Sequence, residues 1–209
     1  MPETIWLVRH GQSEWNAVRR MQGRLESPLS ELGHRQAEAA ACLLAAHGLD
    51  ALFTSPLERA RETARVVGAR VGVEPVADQR IVEWDCGVWS GRLQEEVMRL
   101  WPEEWAAHQA DPFHYRGPGC ENFPDMQARA RPFLDELLAL EARRVAVVSH
   151  GMIGKAMLSL LLGLGPEETM RVAQPNDVII RLTGTGPAAC AHHWRGGEGP
   201  FEGLPLRAD

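Results

Sequence analysis

Thr4-Ile5-Trp6-Leu7-Val8-Arg9-His10-Gly11 and Arg144-Val145-Ala146-Val147-Val148-Ser149-His150-Gly151 are the two stretches on which the reading of the fold turns. Each opens with a short apolar, largely β-branched run that suits a buried strand. Each then stops at a histidine followed by a glycine. Ligands of open α/β sheets bind beyond the carboxyl ends of the strands. If both strands are central and parallel, His10 and His150 share that edge although 140 residues separate them. The glycines let backbone N–H groups come close to a ligand.

Between these anchors the apolar pattern alternates. Ser30 to His47 is helical, with Leu32, Ala37, Ala40, Ala41 and Leu44 on one face and Gly48 closing it. Ala51–Thr54 reads as a strand. Ser55-Pro56-Leu57-Glu58 reads as a helix start, with Ser55 as cap, Pro56 at the first helical position and Glu58 completing a capping box, and the helix should reach about Arg70. A short strand is expected at Arg80–Val82, leading into Glu83. Further on, Phe123–Leu140 is helical, a helix of about 12 residues follows Gly151, and Asp177–Leu182 is the last expected strand. Alternating strands and helices predict a single layered α/β domain over residues 1–209 with a mostly parallel central sheet. A lid-like insertion is expected at about 84–121, carrying Trp84, Trp89, Trp101 and Trp105. The Gly- and Pro-rich tail 183–209 is expected to be loosely packed.

Composition narrows the functional classes. The 22 basic and 28 acidic residues give a net charge of −6, with 44% apolar and 24% charged residues, which excludes disordered and fibrous classes. The basic residues are arginines except for Lys155, and they are scattered, so the footprint of a nucleic-acid binder is missing. Ala156–Leu164 is the longest apolar run, far short of the roughly 20 residues that span a bilayer, so no membrane role is expected. Four dispersed cysteines and no charged-then-apolar leader point to reduced thiols and a cytoplasmic setting. His192-His193 lies in the tail, where strand neighbours would face opposite ways, so no metal site is expected.

Arg9 lies beside His10, and Arg59 near the start of a helix whose dipole favours an anion. Two imidazoles and two guanidinium forks at one sheet edge describe a phosphate pocket. Either histidine alone would be read as a satisfied loop residue. The matched pair, with both arginines, favours a site.

At this point the residues resemble a family. Arg9-His10-Gly11-Gln12-Ser13-Glu14-Trp15-Asn16 is similar to the R-H-G-x-[ST]-x-x-N signature of the phosphoglycerate-mutase-like histidine phosphatases. Gln22-Gly23, Pro28–Gly33, Thr54–Ala64, Glu83 with Gly87, Trp89 and Gly91, and Ser149-His150-Gly151 resemble its later blocks, in the same order. The resemblance implies a three-layer α/β/α fold and a metal-independent phosphomonoester hydrolase that works through a phosphohistidine, with no cofactor. His10 would be the nucleophile. Arg9, Arg59 and His150 would hold the phosphoryl oxygens, and Glu83 would move the proton. Ser13, Asn16, Gln22, Gly23, Gly151 and Met152 would line the pocket.

The alternatives are a phosphoglycerate-mutase-type phosphotransferase and a phospholigand-binding module without turnover. The segment from Trp84 to Glu121 carries three arginines against seven acids, so it should repel a bisphosphate and favour a small-molecule monoester with a modest or apolar leaving group. Met152, where glycine or asparagine is usual, and Asn122, where serine is common, depart from the family pattern. An exposed sheet edge leaves a homodimer open.

Overall fold

The computed structural model describes residues 1–207. Strand β1 (Thr4–Arg9) leads through the one-turn helix α1 (Glu14–Ala17) into α2 (Glu31–His47). Ser30 caps α2 by accepting from the Gly33 N–H, and Gly48 ends it. Strand β2 (Ala51–Thr54), helix α3 (Glu58–Val71) and strand β3 (Pro75–Ala77) follow. Helices α4 (Gln94–Leu100) and α5 (Pro102–Ala110) precede α6 (Phe123–Leu138), β4 (Arg144–Ser149), α7 (Gly151–Leu162) and α8 (Pro166–Arg171). The chain ends in β5 (Val178–Thr183), β6 (Cys190–Arg195) and β7 (Glu198–Glu202).

The seven strands form one sheet in the order β3-β2-β4-β1-β5-β6-β7. The first four pair in parallel, and the last three join by antiparallel pairings. Only β5 and β7 therefore run against the rest, and the sheet is mixed but mostly parallel. Strand alternation sorts its two faces. Ile5, Leu7, Val145, Val147 and Ile180 bury against Phe133, Leu137, Ile153 and Met157 of α6 and α7. Trp6, Val8, Ala146 and Val148 bury against Ala41, Leu44, Ala64 and Val67 of α2 and α3. The result is the three-layer α/β/α architecture.

Three local expectations give way. A 3-10 turn, Gln79–Ile81, stands where a strand was expected, because the Asp78 carboxylate accepts from the Arg80 N–H and caps a tight turn. Helix α3 begins with Leu57 as its cap and no side-chain cap bond. The Ser55 capping box is not formed, because the Ser55 hydroxyl accepts from the Leu57 N–H at 3.3 Å and also meets His150.

The tail is the third. It is not loose but adds β6 and β7 as a hairpin, turned at Gly196-Gly197 with both φ values positive (58° and 88°) as a two-residue turn requires. His192 and His193 pair with Arg181 and Ile180 on β5. Trp194 buries its ring 5.1 Å from Trp6 and edge-on to His47. Among the described residues no helix is long and apolar enough to cross a membrane.

Trp194 is 4% exposed within the α2/α3 core. Trp194→Ala is therefore expected to cost about 3–5 kcal/mol in urea unfolding. A loss below about 1 kcal/mol would show that the hairpin is peripheral to the core.

Candidate active site

Strands β1 and β4 pair in parallel with Arg9 opposite Ser149, and the His10 N–H donates to the Ser149 carbonyl at 2.9 Å. That register sets the two imidazoles side by side, with ring centroids 5.0 Å apart. Both rings are buried. His10 Nδ1 lies 2.7 Å from the Gly11 carbonyl oxygen. A carbonyl only accepts, so Nδ1 carries the proton and Nε2 keeps a lone pair. The loop behind it is pinned by a backbone crossing: a Cβ on Gly11 would lie 2.2 Å from the Gly33 carbonyl oxygen.

Arg59, in the first turn of α3, aims its guanidinium at that lone pair. Its Nε donates to His10 Nε2 at 3.2 Å, Nη1 to the Leu25 carbonyl at 2.9 Å, and Nη2 to the Gly23 carbonyl at 2.7 Å. Gly23 holds a positive φ of 52°, the conformation a glycine accepts most readily. One turn along α3, the Thr63 hydroxyl donates to the Arg59 carbonyl and accepts from the Gly11 N–H, joining the helix to the His10 loop. Arg9 donates to the Gln174 carbonyl at 2.7 Å and lies against Gly151, where a Cβ would come within 3.3 Å of its guanidinium carbon.

Burial, and then the charges of Arg59 and Arg9, hold the His10 pKa well below the ordinary histidine value, against a smaller opposing effect of the Gly11 carbonyl. His150 is held well below that value by burial and by Arg59, its neighbour His10, and Arg9. Ser55 Oγ sits 2.7 Å from His150 Nε2, while His150 Nδ1 is buried without a partner.

Glu83 faces this cationic ground from the other side. Its carboxylate accepts from the Trp84 N–H (2.8 Å) and from the Ile153 (3.1 Å) and Met152 (3.3 Å) N–H groups in the first turn of α7. A helix N-terminus favours such an anion. Met152 takes part through its backbone, which any residue could supply. Asn122, the other departure from the family pattern, caps α6 by accepting from the Asp125 N–H.

A cavity of about 180 Å³ opens among these groups, lined by Arg9, His10, Asn16, Gln22, Gly23, Arg59, Glu83 and Met152 of the expected set, and also by Arg20, Met21, Trp84 and Cys86. Ser13, His150 and Gly151 do not line it. Ser13 stands behind, donating to Gln22 Oε1 at 2.9 Å and capping α1 with Asn16. Only Trp84 and Cys86 of the 84–121 segment reach the cavity. Of its acids, Glu121 is tied to Arg129 and Arg24, and Glu95 and Glu103 are exposed on α4 and α5. The segment's net charge is therefore not the charge a ligand meets.

Sequence reasoning missed Asn176, which donates to the His10 carbonyl at 2.8 Å and also reaches Asn16, and Gln174, whose carbonyl holds Arg9. Both precede β5. Because β5 runs antiparallel to β1, its amino end lies at the site, whereas the rule for open α/β sheets points only to carboxyl ends of strands.

A histidine of ordinary pKa is largely protonated at pH 6.0. His10 is expected to remain neutral there, with its proton on Nδ1, in nitrogen-15 spectra of the imidazole rings. An imidazolium signal for His10 at that pH would refute the electrostatic account.

Comparison with known proteins places this geometry. Residues 5–195 match the family described as "Histidine phosphatase superfamily (branch 1)". "Phosphoserine phosphatase 1" of Hydrogenobacter thermophilus is 39% identical over 159 residues, covering 76% of this chain and 75% of that protein. "Probable phosphoglycerate mutase GpmB" of Yersinia enterocolitica is 36% identical over 182 residues, covering 85% and 83%. Among solved structures, a mycobacterial glucosyl-3-phosphoglycerate phosphatase bound to VO3 superposes with a TM-score of 0.79 at 33% identity, covering 86% of this chain and 92% of that one. The imidazole pair at the ends of β1 and β4 is thus set in a chain that belongs to the histidine phosphatase superfamily, branch 1.

Proposed function

We propose that the protein is a phosphomonoesterase acting on small phosphorylated substrates, with His10 as its nucleophile. The observation that carries this reading is the His10 Nε2 lone pair, fixed by the Nδ1–Gly11 hydrogen bond and faced by a buried guanidinium. A phosphoryl transition state spreads charge over three equatorial oxygens, so positioned cations supply most of the catalysis. Arg9 and Arg59 take those oxygens from the cavity wall, with the partnerless Nδ1 of His150, just behind that wall, as the third donor. An arriving phosphoryl group displaces the Arg59 Nε–H from His10, freeing the lone pair while keeping the cation beside the oxygens.

His10 Nε2 then attacks phosphorus, the bond to the leaving oxygen breaks, and Glu83 gives that oxygen its proton. Water then attacks phosphorus, forming the new O–P bond while Glu83 takes its proton, and the N–P bond breaks to release orthophosphate. The Gln22 amide nitrogen, buried without a partner, is a further donor on this wall. The 84–121 segment acts as the lid, closing the cavity with Trp84. Four cysteines dispersed along the chain favour a cytoplasmic setting for this enzyme.

The test is phosphate release by chelator-treated protein from aryl phosphates, phosphosugars, nucleotides and phosphoglycerates. His10→Ala is expected to lower kcat by at least about 10³-fold, and Arg59→Met by about 10²–10³-fold. Turnover that survives His10→Ala, or that is lost to chelation, overturns the mechanism. Isomerisation of phosphoglycerates without net release would favour the mutase.

Acid removes the nucleophile by protonating Nε2. Because the His10 pKa is depressed, the acid limb of kcat/KM should fall below pH 6.5. A limb centred at or above 6.5 would count against His10 as the attacking base.

A further inference from the structure

Across Arg9, Glu83 and Met152 lies a second cavity of about 400 Å³ that shares those three residues with the first but contains neither His10 nor Arg59. Its own walls bring Lys155, Gln174, Arg195 and Arg207, and among the described residues Glu83 is the only acid on the cavity. Lys155 is the single lysine of the chain and 4% exposed on α7. Among the described residues no carboxylate hydrogen-bonds its ammonium.

Gln174 is equally buried, and both of its side-chain amide atoms lack partners, which is uncommon for a buried amide. Gly154 makes room for that amide, since a Cβ there would lie 2.3 Å from its oxygen. Arg207 is held at the rim by its backbone N–H, which donates to the Arg171 carbonyl at 2.9 Å. Burial, with Arg207 and Arg9 nearby, lowers the Lys155 pKa to about 7. Among the described residues nothing hydrogen-bonds the Lys155 nitrogen on this wall, and the Gln174 amide just beneath it lacks partners too.

We infer that this cavity is a subsite for a carboxylate on the leaving group, bound by Lys155 and Gln174 with Arg207 at the rim. The inference rests on the phosphatase reading, and specifically on Glu83 as proton donor. The group that protonates the leaving oxygen must stand at the scissile bond, so what lies beyond Glu83, away from His10, receives the leaving group. Four basic side chains face Glu83 across this cavity, so its walls favour an anion, and a carboxylate sets one negative charge near Glu83 where a second phosphate would set two. Substrates with an apolar or uncharged leaving group would leave the cation and the amide unanswered.

Two pairs of esters differing by one carboxylate test this: 3-phosphoglycerate against glycerol 3-phosphate, and phosphoserine against phosphoethanolamine, with an aryl phosphate as the common reference. The wild-type protein is expected to prefer at least one carboxylated member by about 10-fold or more in kcat/KM, chiefly through KM. Lys155→Met should bring that ratio to within about 3-fold of unity. Arg207→Ala, an exposed change that leaves the core intact, should lower it by about 3-fold or more and decides the matter if Lys155→Met does not fold.

Aryl phosphate hydrolysis with no preference for a carboxylated ester overturns the subsite and leaves the phosphatase reading standing. A preference that survives in both variants also overturns it. Failure to hydrolyse any ester falls on the phosphatase reading itself.

Discussion

The parallel pairing of β1 with β4 is the constraint on which everything else hangs. Six consecutive residue pairs, from Thr4 opposite Arg144 to Arg9 opposite Ser149, leave no freedom in where the two strands end. A slip of one residue would turn Ile5 and Leu7 from one core to the other, so hydrophobic burial on both faces locks the register. The imidazoles inherit that precision, because each follows its strand without an intervening flexible residue. The geometry of the imidazole pair is a by-product of core packing.

The electrostatics of the site leave positive charge without a close counter-ion. Arg59 is almost wholly buried, yet its donors reach two loop carbonyls and a neutral ring nitrogen rather than a close carboxylate, the nearest being Glu26 at 3.8 Å. Carbonyls satisfy the hydrogen bonds of a guanidinium but leave its charge in place. The same region holds several buried polar atoms without partners, at Arg9 Nε, Gln22 Nε2, His150 Nδ1 and the Gln174 amide. Each such atom costs about 1–3 kcal/mol when left unmet. A protein tolerates such a cluster where a ligand can satisfy it, so donors left free by the fold become selectivity for a charged guest.

The legible parts of the chain were those whose physics is local in sequence. The apolar runs before His10 and His150, the Ser30 cap with its Gly48 stop, and the inward stripe of α6 all carry their periodicity within one element. What escaped depends on tertiary direction or on competition. Ser55 has the right side chain for a cap, but His150 claims the same hydroxyl once the strands are adjacent. Gln174 and Asn176 lie at the amino end of β5, and nothing local says that β5 runs backwards. In the tail, abundant Gly and Pro suggest loose packing, although Gly196-Gly197 between two short runs carries a hairpin signal. The sum of charges over residues 84–121 misled for a related reason, since only the side chains on the cavity wall bear on a ligand.

The long-range β1–β4 pairing also sets an order of events in time. The first strand of the chain cannot take its inner neighbour until Arg144–Ser149 has been made, and its other neighbour, β5, comes later still. Contacts so distant along the chain require loop-closure entropy to be overcome before they return any stabilisation, which slows folding. During synthesis Ile5, Trp6, Leu7 and Val8 must wait as an unpaired apolar edge, exposed to aggregation while about two-thirds of the polypeptide is still being added. A chain cut before β4 keeps His10 and Arg59 but has no partner strand to hold them together, so the site arises only with a nearly complete polypeptide.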